Sequence, residues 1–294
     1  MHQFVNLTLG GVTSGVIFAS IALALVLIWR STRVVNFAQG AMAMFTTYVA
    51  VSVIDRHWSY WLAFVVALAS GLVLGAVVER VLVRPVESGN PLNAVILTLG
   101  LFIVLEAIVP MIWGSKNRTY PPRFSIIGYK IGKTSYALSP FDLFTIVAVV
   151  VLVIALFVLF QKTNLGLRMR ASAFSPEVSR LLGVRVGRML TLGWALAAMV
   201  GSLAGVLVPP STLTSLTPNY MDPFLIFGFT AAILGGLDSP VGALVGGIAV
   251  GLGLSYVGGY LSTDLETVGA LVILLAVLMV RPEGIFTTTR QRRV

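Results

Sequence analysis

Cysteine is absent from this chain of 294 residues, and histidine occurs only twice. Without cysteine there are no disulfides, thiolate metal sites or cysteine nucleophiles. His2 and His57 have no carboxylate or second ligand at a useful spacing, so neither fits a general base or a metal site. Charge is scarce too: Asp, Glu, Lys and Arg make up 11% of the residues, against roughly a quarter in a soluble domain. Ser14, Ser20 and Ser70 lie in apolar stretches with no partner base. Such hydroxyls bond back to their own helix or to a neighbour, which leaves intramembrane hydrolysis without a catalytic group.

Apolar residues dominate instead, at 57% of the chain, with a mean hydropathy of +0.95. Residues 143–160 run eighteen positions without a charge, close to the roughly twenty needed to cross a bilayer. The first apolar segment has no basic flank before it, so it reads as a spanning helix and not as a signal peptide. A net charge of +9 would point to nucleic acid in a soluble chain, but no aromatic-interleaved basic patch accompanies it. In a membrane chain those residues hold loops on the cytoplasmic side, and the expected partner is lipid.

Nine apolar stretches stand out, at about 7–29, 36–54, 60–78, 91–113, 142–160, 189–208, 223–237, 240–260 and 267–281. They are continuous and not alternating, which disfavours a barrel. Lipid offers unpaired backbone groups no partner, so an all-α polytopic transmembrane bundle follows, with about eight or nine spans. The seventh and ninth stretches are short enough to be tilted or broken. If all nine cross with the N-terminus outside, Lys and Arg divide 14 inside to 6 outside. That bias predicts a multi-pass protein of the bacterial inner membrane with its C-terminus in the cytoplasm. Two loops exceed simple connectors: an extracytoplasmic one at 114–141 and a basic cytoplasmic one at 161–188. Glycines recur four apart at Gly71/Gly75, Gly201/Gly205, Gly242/Gly246 and Gly247/Gly251, a spacing that lets helix backbones approach closely in lipid.

The segment Gly128-Tyr-Lys-Ile-Gly132-Lys133-Thr134 imitates a phosphate-binding loop but lacks one residue between its glycines and the flanking strand and helix. Any nucleotide chemistry therefore belongs to another chain. Glu106 is the one clear ionisable residue inside an apolar stretch. It either faces an aqueous path or substrate, or it is protonated or paired within the bundle. Asn36 and Gln39 place two amides at the start of an apolar helix, where an ordinary cap would also suffice.

Four segments together resemble one family. Asn36-Phe37-Ala38-Gln39-Gly40 is similar to the NFAHG segment of branched-chain amino-acid ABC importer permeases. Thr163 to Ala173, continuing through Pro176-Glu177 to Gly183-Val184, resembles that family's T-x-x-G-x-x-x-R-A loop. Ala231 to Gly247 and Arg281 to Phe286 resemble its L-G-G-x-x-S-x-x-G-A stretch and its closing R-P-x-G-I segment. Gln39 departs from the family's usual histidine.

The resemblance implies one permease domain over 1–294 that moves a branched-chain or other apolar amino acid and is not an enzyme. It would pair with a second, homologous permease and dock two cytoplasmic ATP-binding subunits, which carry ATP and magnesium, so no cofactor is expected on this chain. An extracytoplasmic substrate-binding protein would deliver the solute. The substrate path implied is Asn36, Gln39, Gly40, Glu106, Gly235 and Gly236, with broken helices presenting their termini to the solute. ATPase coupling falls to Arg168, Arg170, Ser175, Pro176, Glu177, Leu182 and Gly183, on a short helix near 175–182. In it Ser175 would serve as cap, Pro176 as first residue and Gly183 as terminator. The alternatives are a permease for a small amide or urea-like solute, and a stand-alone ion-coupled carrier.

Overall fold

The computed structural model describes residues 2–86, 91–131, 134–212 and 215–286. The glycine and lysine of the false phosphate loop, Gly132 and Lys133, lie outside them. Eleven α-helices build the described chain: α1 (His2–Thr32), α2 (Gln39–Asp55), α3 (Tyr60–Val77), α4 (Pro91–Trp113), α5 (Pro140–Lys162), α6 (Asn164–Phe174), α7 (Pro176–Leu181), α8 (Val186–Thr212), α9 (Asp222–Gly235), α10 (Pro240–Tyr260) and α11 (Glu266–Val280). A π-helical turn over Val78–Val83 and a 3-10 turn over Arg84–Val86 prolong α3. Seven helical stretches are long and apolar enough to span a membrane, while α2 and α9 reach only 17 and 14 residues.

Burial sorts the spans into centre and rim. The most apolar windows of α1 and α8 are 89% and 78% buried, whereas those of α4, α5 and α11 are 17%, 17% and 6%. The peripheral helices present long apolar side chains outward, such as Val151 and Phe157 of α5 or Leu275 and Met279 of α11. This inside-out pattern suits a lipid solvent.

The two ends of the chain repeat one plan with its direction reversed. α1 runs antiparallel to α10: Gly11 packs on Leu252 and Ser255, Gly15 on Ile248, and Ala19 on Gly247. α3 runs antiparallel to α8 in the same manner, with Gly71 on Ser202, Gly75 on Trp194 and Arg84 on Gly187. α2 lies parallel to α8, Gln39 meeting Gly201 and Ala43 meeting Gly205. Correspondingly α9 lies parallel to α1, where Phe18 stacks near Phe224 and Phe227 and Ile21 touches Gly228. Thus α1–α4 and α8–α11 form an inverted pair of four-helix units, a repeat in shape that identical residues do not announce. At every glycine of the four spaced pairs, a Cβ would overlap an atom of a neighbouring helix. Those glycines hold the bundle together by close approach.

Local contacts hold the described residues of the 114–139 loop. Arg118 pairs with Asp55, and its backbone bridges Leu216. Lys130–Ile131 and Thr134–Ser135 make a small antiparallel hairpin. Trp61, Phe64, Phe124 and Phe144 pack edge to face between the loop and the helix ends. Ser139 and Asp142 then open α5 with a reciprocal capping box.

Candidate functional site: two half-helices, a carboxylate pair and an exposed cytoplasmic-type loop

The stretch expected to be helical from residue 36 begins its helix only at Gln39. Residues 34–38 are non-helical, so α2 starts inside the bundle, level with the middle of α8. A helix that starts away from water must satisfy its first amides with protein groups. Asn36 does so: its Oδ1 accepts from the Ala38 amide at 3.0 Å, and its main-chain oxygen accepts from the Gln39 amide at 3.3 Å. Asn36 Nδ2 donates to Gln39 Oε1 at 3.1 Å, and Gln39 Nε2 donates to the Ala197 carbonyl of α8 at 3.2 Å. Both side chains are essentially inaccessible, 0% and 1% exposed. They are mutually bonded and hold the helix break against α8.

The second half-helix mirrors the first. The chain returns from α8 through residues 215–221, held where Tyr48 Oη donates to the Leu216 carbonyl at 3.1 Å. Tyr220 Oη sits 2.9 Å from both Thr47 Oγ1 and the Gly205 carbonyl. α9 then starts at Asp222-Pro223, and proline in the first turn removes one amide that would need a partner. The two half-helices meet at their starts: a Cβ on Gly40 would lie 3.4 Å from the Met221 carbonyl and 3.3 Å from Leu225 Cβ.

Glu106 of α4 faces Asp222 at this junction. Glu106 Oε1 is buried without a hydrogen-bond partner. Leu99 and Ile103, two turns and one turn before Glu106 on the same stripe of α4, are 42% and 63% exposed, so the pair opens near an uncovered face of the subunit. Asp222 was not singled out from the sequence; its signal was the Asp-Pro dipeptide that opens a short apolar run.

Gly235 and Gly236 lie at the other end of α9, away from the carboxylate pair. Gly235 and Gly242 pack backbone to backbone, and Gly236 turns the chain with φ 95°. The closing segment seats here: the amides of Ile285 and Phe286 donate to the Leu234 and Gly235 carbonyls at 3.0 and 3.3 Å. Gly284, with φ 85°, lies against Gly236.

The 161–188 segment is two short helices. Thr163 Oγ1 caps α6 by accepting from the Gly166 amide at 3.1 Å. α7 occupies Pro176–Leu181, with Pro176 and Glu177 in its first turn. Ser175 stands at the N-cap position, but its side chain makes no capping bond; its carbonyl accepts from Ser179. Gly183 has φ 78°, and the Val184 amide reaches back to the Ser179 carbonyl at 2.9 Å, the geometry of a glycine-terminated helix. Arg168 and Glu177 are exposed, and Arg170 donates to Gln161 Oε1 at 3.2 Å. Phe174, Leu181 and Leu182 are 84%, 88% and 77% exposed, an apolar tip framed by positive charge.

An ion pair between a buried carboxylate and a partly exposed guanidinium links this loop to the end of α3. Arg84 reaches both Glu79 oxygens, at 3.0 and 2.8 Å, and also the Gly187 carbonyl and Thr191 Oγ1, each at 2.7 Å. Glu79 is 1% exposed. In the sequence Arg84 is simply one of the 14 basic residues on the inner side, because its partner lies five residues back on a π-helical turn and its further acceptors lie on α8.

Residues 7–280 match the family described as "Branched-chain amino acid transport system / permease component". The chain belongs to this permease family. The permease is 28% identical to the high-affinity branched-chain amino acid transport system permease protein LivH of Escherichia coli K12, over 96% of this chain and 95% of that one. It is 26% identical to BraD of Pseudomonas aeruginosa over 97% and 96% of the two chains. The ribose import permease protein RbsC of Escherichia coli K12 is 25% identical over 84% of this chain and 77% of that one. Among solved structures, PsaBC from Streptococcus pneumoniae in complex with Fab shares the fold at a TM-score of 0.50 and 12% identity, covering 96% of this chain and 93% of that one. The permease is therefore a multi-pass inner-membrane transport subunit of the ABC importer type, not an enzyme.

Proposed function

We propose that the permease carries a branched-chain or similar apolar amino acid along the face where Glu106 and Asp222 meet, and that a second permease covers this face. Two carboxyl groups facing each other repel unless a proton or a cation lies between them. The α-ammonium of an amino acid meets that requirement, and the exposed apolar stripe of α4 suits its side chain. The observation that carries the reading is Glu106 aimed at the first turn of a helix that begins inside the bundle. In the same reading, substrate comes from an extracytoplasmic binding protein, and the exposed tip of α6–α7 seats in a cytoplasmic ATPase that supplies ATP and magnesium. The 14-to-6 division of basic residues supports an N-terminus outside and a C-terminus inside.

Gln39, which stands where a family histidine is usual, bonds within the helix break. Its presence bears on the break more than on the solute, which favours an amino acid over an amide. The test is uptake of radiolabelled leucine by proteoliposomes containing the assembled importer, ATP inside and binding protein outside. Glu106→Gln and Asp222→Asn should each reduce uptake about tenfold or more, as for a lost charged hydrogen bond, with the subunits still co-purifying. Wild-type uptake in both would place the solute path elsewhere.

A further inference from the structure

A second site lies at the opposite end of the bundle from the carboxylate pair. There α1, α5, α6 and the start of α8 enclose a cavity of about 330 Å³. Arg30, Arg33 and Arg170 all line it. Asp238, a carboxylate close to Arg30, is taken by Arg33. The guanidinium of Arg30 has no hydrogen-bond acceptor among the described residues. Two buried polar atoms also lack partners, Arg170 Nε and Ser172 Oγ, and Ser172 is only 1% exposed. A buried donor left unpaired destabilises the protein, and more so when charged. Donors converging on one cavity therefore point to an acceptor-rich, negatively charged occupant.

Apart from Ser31, whose hydroxyl bonds the Ile28 carbonyl, the rest of the wall is apolar, including Phe160 of α5 and Leu190 of α8. Phe160 ends a helix whose neighbouring outward residues, Phe157 and Val158, are 55% and 46% exposed. The cavity thus lies beside a surface that faces acyl chains in a bilayer. We propose that it binds an anionic phospholipid, the phosphate held by Arg30, Arg170 and Ser172 with Arg33 at the lip, and the chains running along Phe160. Phosphate oxygens match the planar fork of arginine better than a single carboxylate would, and basic recesses between membrane helices are suited to anionic headgroups.

The test is native mass spectrometry of the importer complex and of the permease alone, titrated with phosphatidylglycerol, phosphatidylcholine or inorganic phosphate. Phosphatidylglycerol should give a discrete adduct in both samples, and phosphatidylcholine none. Arg30→Gln should weaken that adduct about tenfold or more, as expected for a lost charged hydrogen bond. Ala173→Phe fills the cavity without changing any charge, and it should abolish the adduct. Should Arg30→Gln fail to assemble, Ser172→Ala and Ala173→Phe still decide the matter. Equal binding of both lipids, or an adduct that survives Ala173→Phe, would show only a generally basic surface and overturn the site. Displacement of the lipid by inorganic phosphate at comparable concentration would overturn the role of the apolar wall. An adduct in the isolated permease that the complex excludes would assign the cavity to an ATPase side chain instead.

Discussion

Single side chains do their largest work here by closing gaps in the backbone. Gln39 and Gly201 are an example, since a Cβ on Gly201 would overlap Gln39 Nε2. Gly201→Ala should therefore displace Gln39 and lower the unfolding midpoint in detergent, while adding Gln39→Ala should cost less than the sum of the two single changes. Strict additivity in that double-mutant cycle would mean the residues do not depend on each other. Arg84 carries a larger penalty, because its loss leaves Glu79 charged and buried. Arg84→Ala should destabilise by about 1–3 kcal/mol, less than for a fully buried pair, because the guanidinium is partly exposed and Thr191 still donates to Glu79. Arg84→Lys should recover only part of this, for lysine lacks the fork that reaches both oxygens. Urea or thermal unfolding of the purified permease measures both. The amides of Asn36 and Gln39 were legible as polar residues at a helix start. That they bond to each other was not, because the bond depends on where the helix begins after Val34–Ala38, and periodicity does not resolve a break of five residues.

At the scale of elements, the turn that ends α7 separates shape from charge. Gly183 has nothing within 4 Å of a would-be Cβ, so replacing it strains only its positive-φ backbone. A β-branched residue there costs roughly 1–2 kcal/mol or more, whereas Asn visits this conformation readily. Gly183→Val should thus insert normally and co-purify with its partners, yet lose ATPase stimulation by loaded binding protein. Gly183→Asn should keep most of that stimulation. If valine leaves stimulation intact, coupling does not run through α7. The helix and its glycine were readable from Ser175-Pro176 and Leu182-Gly183, since helix punctuation is local chemistry. The missing Ser175 cap was not readable, as Ser179 bonds the Ser175 carbonyl while the hydroxyl stays apart. Helix α6 was likewise read as loop, because its apolar and basic residues share no simple period.

For the whole molecule, the hydrophobic runs located all nine apolar helices, but seven of them are long enough to span: the second and seventh are the short ones, and the ninth reaches full length with the turn before it. The inverted repeat stayed hidden. Its two units share helix order and glycine-mediated crossings, α1 on α10 and α8 on α3, while their residues differ. Half-helices α2 and α9 face each other from opposite halves, an arrangement suited to rocking one unit against the other. ATP hydrolysed by separate subunits would have to drive that motion. The permease reconstituted alone should therefore show no concentrative leucine uptake under a sodium or proton gradient, while the assembled importer should with internal ATP. Gradient-driven accumulation by the lone chain would make it a secondary carrier.

The tail that seats on α9 also bears on biosynthesis. The Leu234 and Gly235 carbonyls find their donors in Ile285 and Phe286, about fifty residues later in the chain. During translation α9 enters the membrane with its last turn open, and it stays so until α10 and α11 have emerged from the ribosome. Until then those two carbonyls must find their donors in water at the membrane surface. The last turn of α9 is thus completed only after α10 and α11 have been made, so the end of this half-helix depends on residues distant in the chain.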